Sequence, residues 1–297
     1  MSIINCHARW AFDFIAWKPT LQELMVAVSL IQPEEKQRIA QFVFQEDFKS
    51  SLAGRLLLRY FVRSALCIDN HQFKFGRDER NKPYLMEING SKSNCDGDNK
   101  IIDCNVSHQG SFACLAGFYD NKAPSNTEVR LGVDVMKIEY AGGRSLSEFF
   151  RIMTRNFSDN EWNYIKSFSS NQEKLQAFMR NWCLKESYVK NIGTGITMNL
   201  QTLDFQFNTP VVKNGEVITD TQLKVDGKLL NNFTFEESLL NDDHCVAVSI
   251  QNKPPSNKHK SLNFQIIKFE ELIGNATPLT APDEKYCVEI LRKDTKR

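Results

Sequence analysis

The chain has 297 residues, with 37 Lys and Arg against 36 Asp and Glu, giving a formal net charge of +1. Apolar residues make up 41% and charged residues 25%, the profile of a globular chain able to bury a core, and 14 Gly with 9 Pro exclude collagen-like and low-complexity chains. A near-zero charge gives no global attraction to nucleic acid or an anionic membrane, so an anionic ligand has to be met by a local patch.

In chain order, Trp10-Ala11-Phe12-Asp13-Phe14-Ile15 alternates as a strand does. Pro33-Glu34-Glu35 opens a helix that carries Arg38, because Pro suits the first turn and acids suit the positive end of the helix dipole. A longer helix follows over Leu52–Val62. Lys74 to Pro83 is turn-like and holds four cations, Lys74, Arg77, Arg80 and Lys82, which a solvated loop also explains. The segment 89–99 is a polar loop. Asn105-Val106-Ser107-His108-Gln109-Gly110 packs hydrogen-bonding side chains just ahead of a strand at Phe112–Ala116, and 120–128 is a linker.

The second half repeats this order. Leu131–Met136 is a strand, and Ser158-Asp159-Asn160-Glu161 is a capping box with Phe157 and Trp162 as its hydrophobic staple. A long helix from Leu175 to Ile192 is stopped by Gly193 and Gly195. A closing strand, Cys245–Ile250, follows His244 as the first follows His108. The parallel order predicts an α+β protein of two similar subdomains, 1–128 and 129–250. The remainder, 251–297, is a linker up to residue 261 and a tail that packs back through a strand at Phe264–Phe269.

Eight cysteines at 6, 67, 95, 104, 114, 183, 245 and 287 form no CxxC pair and no zinc-like spacing, so they are expected to be thiols in the cytosol. His7, Arg9 and Asp13 break any apolar leader, and no window is apolar for 18 residues. The five Asn-x-Ser/Thr sequons, at Asn89, Asn105, Asn156, Asn232 and Asn275, carry no meaning in a reducing compartment.

Chemistry concentrates in the second half. On the helix from Leu175 to Ile192, Phe178, Trp182, Val189 and Ile192 share one face, Lys185 interrupts that stripe, and Glu186 and Lys190 lie together on its border. Either Lys185 snorkels beside a surface ion pair, or the helix edge turns a carboxylate and two ammonium groups towards a cleft. Both faces of the strand at 131–138 are largely apolar, so Asp134 is a buried carboxylate that needs a Lys or Arg, or a hard divalent cation shared with Glu186. Ser107 and His108 are neighbours on an extended chain and point to opposite faces, which disfavours a nucleophile–base pair. The chain lacks GxxxxGK[ST], GxGxxG, HExxH and GxSxG.

Gly132-Val133-Asp134, then Trp182-Cys183-Leu184-Lys185-Glu186-Ser187-Tyr188-Val189-Lys190, resemble the GxD and WxxKExxxK signature of the 4′-phosphopantetheinyl transferases, and Asn105-Val106-Ser107-His108 resembles their (N/F)xSH motif. The resemblance is to the larger, pseudo-dimeric group. Residues 31–36, 41–44, 152–153 and the tail's 264–272 are similar to its animal members. The parallel order of the halves already argues for two subdomains related by a pseudo-twofold, and that pseudo-symmetry for a monomer, since each half supplies the other's interface. The resemblance implies transfer of 4′-phosphopantetheine from coenzyme A to a serine of acyl or peptidyl carrier domains, of the fatty acid synthase or aminoadipate-reductase and related synthetase types, releasing 3′,5′-ADP.

In that scheme Asp134 and Glu186 hold Mg²⁺, Glu186 is the base, Lys190 stabilises developing charge, and Lys185 assists or orients Glu186. Arg38, Arg77, Arg80, Lys82, Asn105, Val106, Ser107 and His108 meet coenzyme A. Where many members carry a second acid this chain has Met136, a poor ligand for a hard cation, so water or the amide oxygen of Gln109 is expected to fill in. The alternatives are a non-catalytic module binding coenzyme A or a carrier protein, and a two-metal nuclease, which would want more clustered acids.

Overall fold

A computed structural model describes residues 5–89, 91–92, 101–121, 128–253 and 262–296. Residues 122–127 of the first linker, 254–261 of the second, and most of the 89–99 loop with Cys95 lie outside them. The chain divides into two compact units, unit 1 comprising 1–125 with 265–297 and unit 2 comprising 126–264.

Unit 1 begins with β1 (Asn5–Asp13), α1 (Leu21–Ser29), α2 (Pro33–Ile39) and the 22-residue α3 (Gln45–Leu66). The chain continues through β2 (Phe73–Arg77), β3 (Pro83–Ile88), β4 (Ser91–Lys92), β5 (Ile101–Gln109) and β6 (Phe112–Asp120). The cationic stretch read as a solvated loop is thus a β-hairpin whose arms are β2 and β3. Asn105–Gln109 lies within β5 rather than ahead of a strand.

Unit 2 runs through β7 (Arg130–Lys137), α4 (Leu146–Ile152), α5 (Asp159–Ser167) and the 22-residue α6 (Asn171–Ile192). It continues with β8 (Leu203–Gln206), β9 (Gln222–Val225), β10 (Lys228–Leu229), β11 (Phe233–Asn241) and β12 (His244–Gln251). The tail then supplies unit 1 with β13 (Gln265–Ile266), α7 (Phe269–Ile273) and α8 (Glu284–Leu291), so only two residues of the strand expected at 264–269 are extended.

Each unit lays one long helix on a sheet that is antiparallel apart from the β13 edge in unit 1. In unit 1 the order is β13-β1-β6-β5, and in unit 2 it is β11-β12-β7. The closing hairpins have matching two-residue connections, with Gln109 opposite Phe112 and Asn241 opposite His244. Under α3, Phe48, Leu52, Leu56 and Phe61 are all but inaccessible, as are Phe157, Phe178, Leu184, Phe205 and Phe235 in unit 2. The predicted staple is present, with the Phe157 and Trp162 rings 5.2 Å apart. In unit 1, Trp10 on β1 packs its ring against Tyr60 on α3 at 4.7 Å.

The tail is part of unit 1. Its β13 pairs in parallel with β1 through Trp10 and Ala11, Phe269 stacks on Trp17 at 5.0 Å, and Cys287 and Ile290 of α8 are buried. Among the described residues Cys67, Cys104, Cys114, Cys183, Cys245 and Cys287 are thiols rather than disulfides. No described helix is long and apolar enough to cross a membrane.

Candidate functional site

The cluster in unit 2 begins with a glycine. An added Cβ at Gly132 would sink into the carbonyl oxygen of Ser187 and stand 2.6 Å from the amide nitrogen of Asn191 and 2.9 Å from Ser249 Oγ. Only glycine lets β7 lie this close to α6. Polar bonds close the same seam: Cys183 Sγ donates to the Asp134 carbonyl at 3.0 Å, and Ser249 Oγ to the Ser187 carbonyl at 2.8 Å. Asn191 Nδ2 donates to the Arg130 and Ser249 carbonyls, both at 2.9 Å. Cys183, Ser187 and Asn191 recur every four residues and so form one helical stripe facing the sheet.

Two residues beyond Gly132, on the same strand face, stands Asp134. Its side chain is 7% exposed, and Lys190 Nζ lies 2.6 Å from Oδ1, so the buried carboxylate has the cationic partner its burial demands. Glu186 sits one turn before Lys190 on the adjacent face of α6. Burial pushes its carboxyl above the ordinary carboxylate range, the charge of Asp134 adds to that, and Lys190 opposes it. The Glu186 carboxylate makes no side-chain hydrogen bond or ion pair among the described residues. Two acids that raise each other's energy beside a lysine form a pair a hard cation would relieve, and carboxylate oxygens are the donors such a cation takes. Among the described residues no group of three or more His, Cys, Asp and Glu could hold a metal, so the protein offers this pair and little else. Met136, two residues further along β7, packs its side chain against the core of unit 2.

Lys185 does not join this cluster. It is fully buried, with Nζ 2.8 Å from Glu161 Oε2, and it donates to the carbonyls of Leu200 at 2.8 Å and Leu203 at 2.7 Å. Neither open reading of the stripe holds for it: Lys185 neither snorkels to the surface nor turns to a cleft with Glu186. Glu161 is also the capping-box acid of α5, accepting from the backbone N–H of Ser158 at 2.8 Å and of Phe205 at 3.2 Å. Burial lowers the Lys185 ammonium and raises the Glu161 carboxyl, and each partner works against the other's shift.

The predicted anion-binding residues fall in unit 1. Arg77, closing β2, is oriented by internal partners that take three of its five N–H groups: its Nε and Nη2 reach the two oxygens of Glu35 on α2 at 2.6 and 2.7 Å, and its Nη1 donates to the Asn81 carbonyl. Arg55 of α3 takes the same carboxylate at 2.5 Å. Burial alone would raise the Glu35 carboxyl, but the two guanidiniums outweigh it and hold the pKa down at about 2. Exposed Arg38 donates to Asn81 Oδ1 at 3.3 Å. The turn between the strands is drawn tight by Asp78, whose Oδ1 accepts from the backbone N–H of Arg80 and Lys82, with Asn81 in the left-handed region at φ 65. Arg80 is exposed and Lys82 half-buried. On β5, Asn105 and Ser107 are buried on one face while Val106, on the other, packs against the core under α3; His108 and Gln109 are exposed.

Three contributors had no separate signal in the sequence. Glu35 looked like a first-turn acid, Glu161 like a cap, and the Cys183–Ser187–Asn191 stripe like ordinary helix. Only a four-residue spacing of small polar residues opposite a glycine strand could have pointed to the last.

Comparison with known proteins places both units. Residues 15–120 match the family model described as 4′-phosphopantetheinyl transferase, N-terminal, and residues 130–249 match that of the 4′-phosphopantetheinyl transferase superfamily. The L-aminoadipate-semialdehyde dehydrogenase-phosphopantetheinyl transferase of Homo sapiens is 36% identical, covering 94% of this chain and 89% of its own length. The protein of that name from Xenopus laevis is 34% identical over 96% of this chain and 92% of its own. A phosphopantetheinyl transferase of Thraustochytrium sp. is 32% identical over 82% of this chain and 77% of its own. The chain therefore belongs to the 4′-phosphopantetheinyl transferase superfamily, enzymes that move phosphopantetheine from coenzyme A onto carrier proteins.

Proposed function

We propose that this chain carries out that transfer with Asp134, Glu186 and Lys190 as its reacting cluster, in a Mg²⁺-dependent manner, on serine-bearing acyl or peptidyl carrier domains. The names of its relatives support carriers of the aminoadipate-semialdehyde dehydrogenase kind among the substrates. Fatty acid synthase carriers, and action as a cytosolic monomer, belong to the same proposal. The single observation that carries the reading is the geometry around β7 and α6. A buried aspartate is salt-bridged to Lys190, and that aspartate's charge adds to the burial that raises Glu186.

Asp134 and Glu186 would hold the cation, with water and the amide oxygen of Gln109 completing its shell where Met136 offers none. When bound, Mg²⁺ supplies charge neutralisation on the pyrophosphate of coenzyme A. Glu186 takes the proton of the serine hydroxyl as its oxygen bonds to the phosphorus that carries pantetheine. The phosphorus–oxygen bond to 3′,5′-ADP breaks, and Lys190 donates to the charge that builds there. A raised carboxyl pKa makes Glu186 the stronger base for that step. Arg38, Arg77, Arg80 and Lys82 serve the phosphates and adenine of coenzyme A, with Asn105, Val106, Ser107 and His108.

The test incubates the protein with coenzyme A, Mg²⁺ and an apo carrier domain and weighs the carrier. Wild type adds one phosphopantetheine to the carrier serine; Asp134→Ala and Glu186→Ala, both folded, do not. Coenzyme A binding without any mass gain by wild type would make the chain a binding module instead.

A further inference from the structure

The matched family segments end at residue 249, whereas residues 265–297 fold into unit 1. The last part of that tail grips one element. Helix α2 has only seven residues, far below the length at which a helix stands without tertiary support. Its own anchor is Ile39, which is buried, and α8 supplies others. Lys36 of α2 has its ammonium 2.7 Å from Asp283 Oδ2 and 4.5 Å from the centre of the Tyr286 ring, and its carbonyl accepts the Tyr286 hydroxyl at 2.9 Å.

The stretch that joins α2 to α3 is held in the same way. Lys293 Nζ donates to the Phe42 carbonyl at 2.6 Å, Phe44 bridges Asp294, and the Gln45 amide donates to the Asp294 carbonyl at 2.9 Å. The Gln45 side chain donates to the carbonyls of Leu291 and Lys293 at 3.0 and 2.8 Å. The tail thus fixes α2 along its flank and at its exit.

What α2 carries gives that grip a purpose. Glu35, beside Lys36, is the two-pronged partner that aims Arg77, and Arg38 reaches the Asn81 side chain of the 78–82 turn. A shift of α2 would move Glu35 and Arg38 together, and Arg77 with them. We infer that residues 283–296 are a positioning element for coenzyme A, acting through α2 on Arg38 and Arg77. The inference rests on the phosphate-binding role proposed above for those two arginines.

The test compares three forms of the full chain: wild type, the double variant Asp283→Ala with Tyr286→Phe, and Arg38→Ala. KM for coenzyme A, KM for the carrier, kcat and the unfolding midpoint are measured for each. Losing the Tyr286 hydrogen bond and the Asp283 pair raises KM for coenzyme A about fivefold. The expected pattern adds an unchanged kcat, an unchanged carrier KM and a single cooperative unfolding transition. Arg38→Ala raises the same KM without altering the tail. If Arg38→Ala raises it and the tail variant does not, the inference fails while the phosphate-binding role stands. If neither does, that role fails and takes the inference with it. If the tail variant lowers kcat and raises both KM values alike alongside a fall in midpoint, the tail is a general stabiliser and the inference is overturned.

Discussion

Replacing Gly132 by alanine tests whether the close approach of β7 to α6 is what assembles the reacting cluster. The added methyl would overlap the Ser187 carbonyl and the Asn191 amide, and both are helix backbone that no rotamer change can move away. Overpacking of this kind costs about 1–3 kcal/mol. Separating the two elements also stretches the bonds from Ser249 to Ser187 and from Asn191 to Arg130 and Ser249, at about 1 kcal/mol each where they are lost. A loss of about 3 kcal/mol is therefore expected, read as a lower urea midpoint at unchanged slope. Because a 1 Å displacement of catalytic groups can cost about a hundredfold, carrier modification by the folded variant should fall by about that factor. Gly54→Ala is the control. Its Cβ would meet nothing nearer than the Val106 methyl at 3.4 Å, and alanine inside a helix should gain about 0.5–1 kcal/mol. A Gly132→Ala protein with wild-type midpoint and wild-type rate would refute the reasoning.

Lys185→Met should cost about 3–5 kcal/mol, because it strands Glu161 as a buried charge, whereas Lys185→Met with Glu161→Leu should recover most of that loss in chemical denaturation. Glu186→Gln should raise the melting temperature of the metal-free protein at neutral pH while abolishing transfer. With a folded pKa above the unfolded one, ionising Glu186 takes stability away as pH rises, so the gain over wild type should vanish when melting is repeated below pH 4. Mg²⁺ should raise the melting temperature of wild type and not of Asp134→Ala. Glu35→Gln should show the opposite pH sign. The Glu35 pKa falls from 4.5 to about 2, so its contribution, on the order of 3 kcal/mol, is present above pH 4.5 and is lost as pH falls towards 2. Acid-unfolding curves of wild type and variant should converge at the acid end.

The elements legible in the sequence were those with a local cause. The stop of α6 at Gly193, with φ of 68, follows from a residue that can turn left-handed, and the Ser158–Glu161 box and its staple follow from spacing alone. β7 and β12 showed as short, largely apolar runs, as strands buried on both faces do. What stayed hidden depended on distant partners. The hairpin of β2 and β3 read as a loop because its cations mask the period of two, and nothing near Arg77 announces Glu35, which lies two elements upstream. β8, β9 and β10 gave no signal of their own, being two to four residues long, too short for a period of two to register. Lys185 was rightly seen as out of place in its stripe, but its counter-charge doubles as a helix cap, and a cap already explained Glu161 completely. The motif residues Asp134, Glu186 and Lys190 were legible as a set, while the glycine that brings their elements together was visible only as a letter in the motif.

The aromatic contact between Trp10 and Tyr60 gains meaning once the two units are laid over each other in register. Trp10 pairs with the fourth residue of β6, Leu115, as Asp134 pairs with the fourth residue of β12, Ala247. Tyr60 and Glu186 are each the sixteenth residue of a 22-residue helix. At the positions where one unit carries two acids, the other carries two aromatic rings tilted by 37° against each other, which offer no carboxylate to a hard cation or to a serine hydroxyl. On the proposed assignment of Asp134 and Glu186, each polypeptide would therefore hold one cation and one transfer centre, in unit 2 alone.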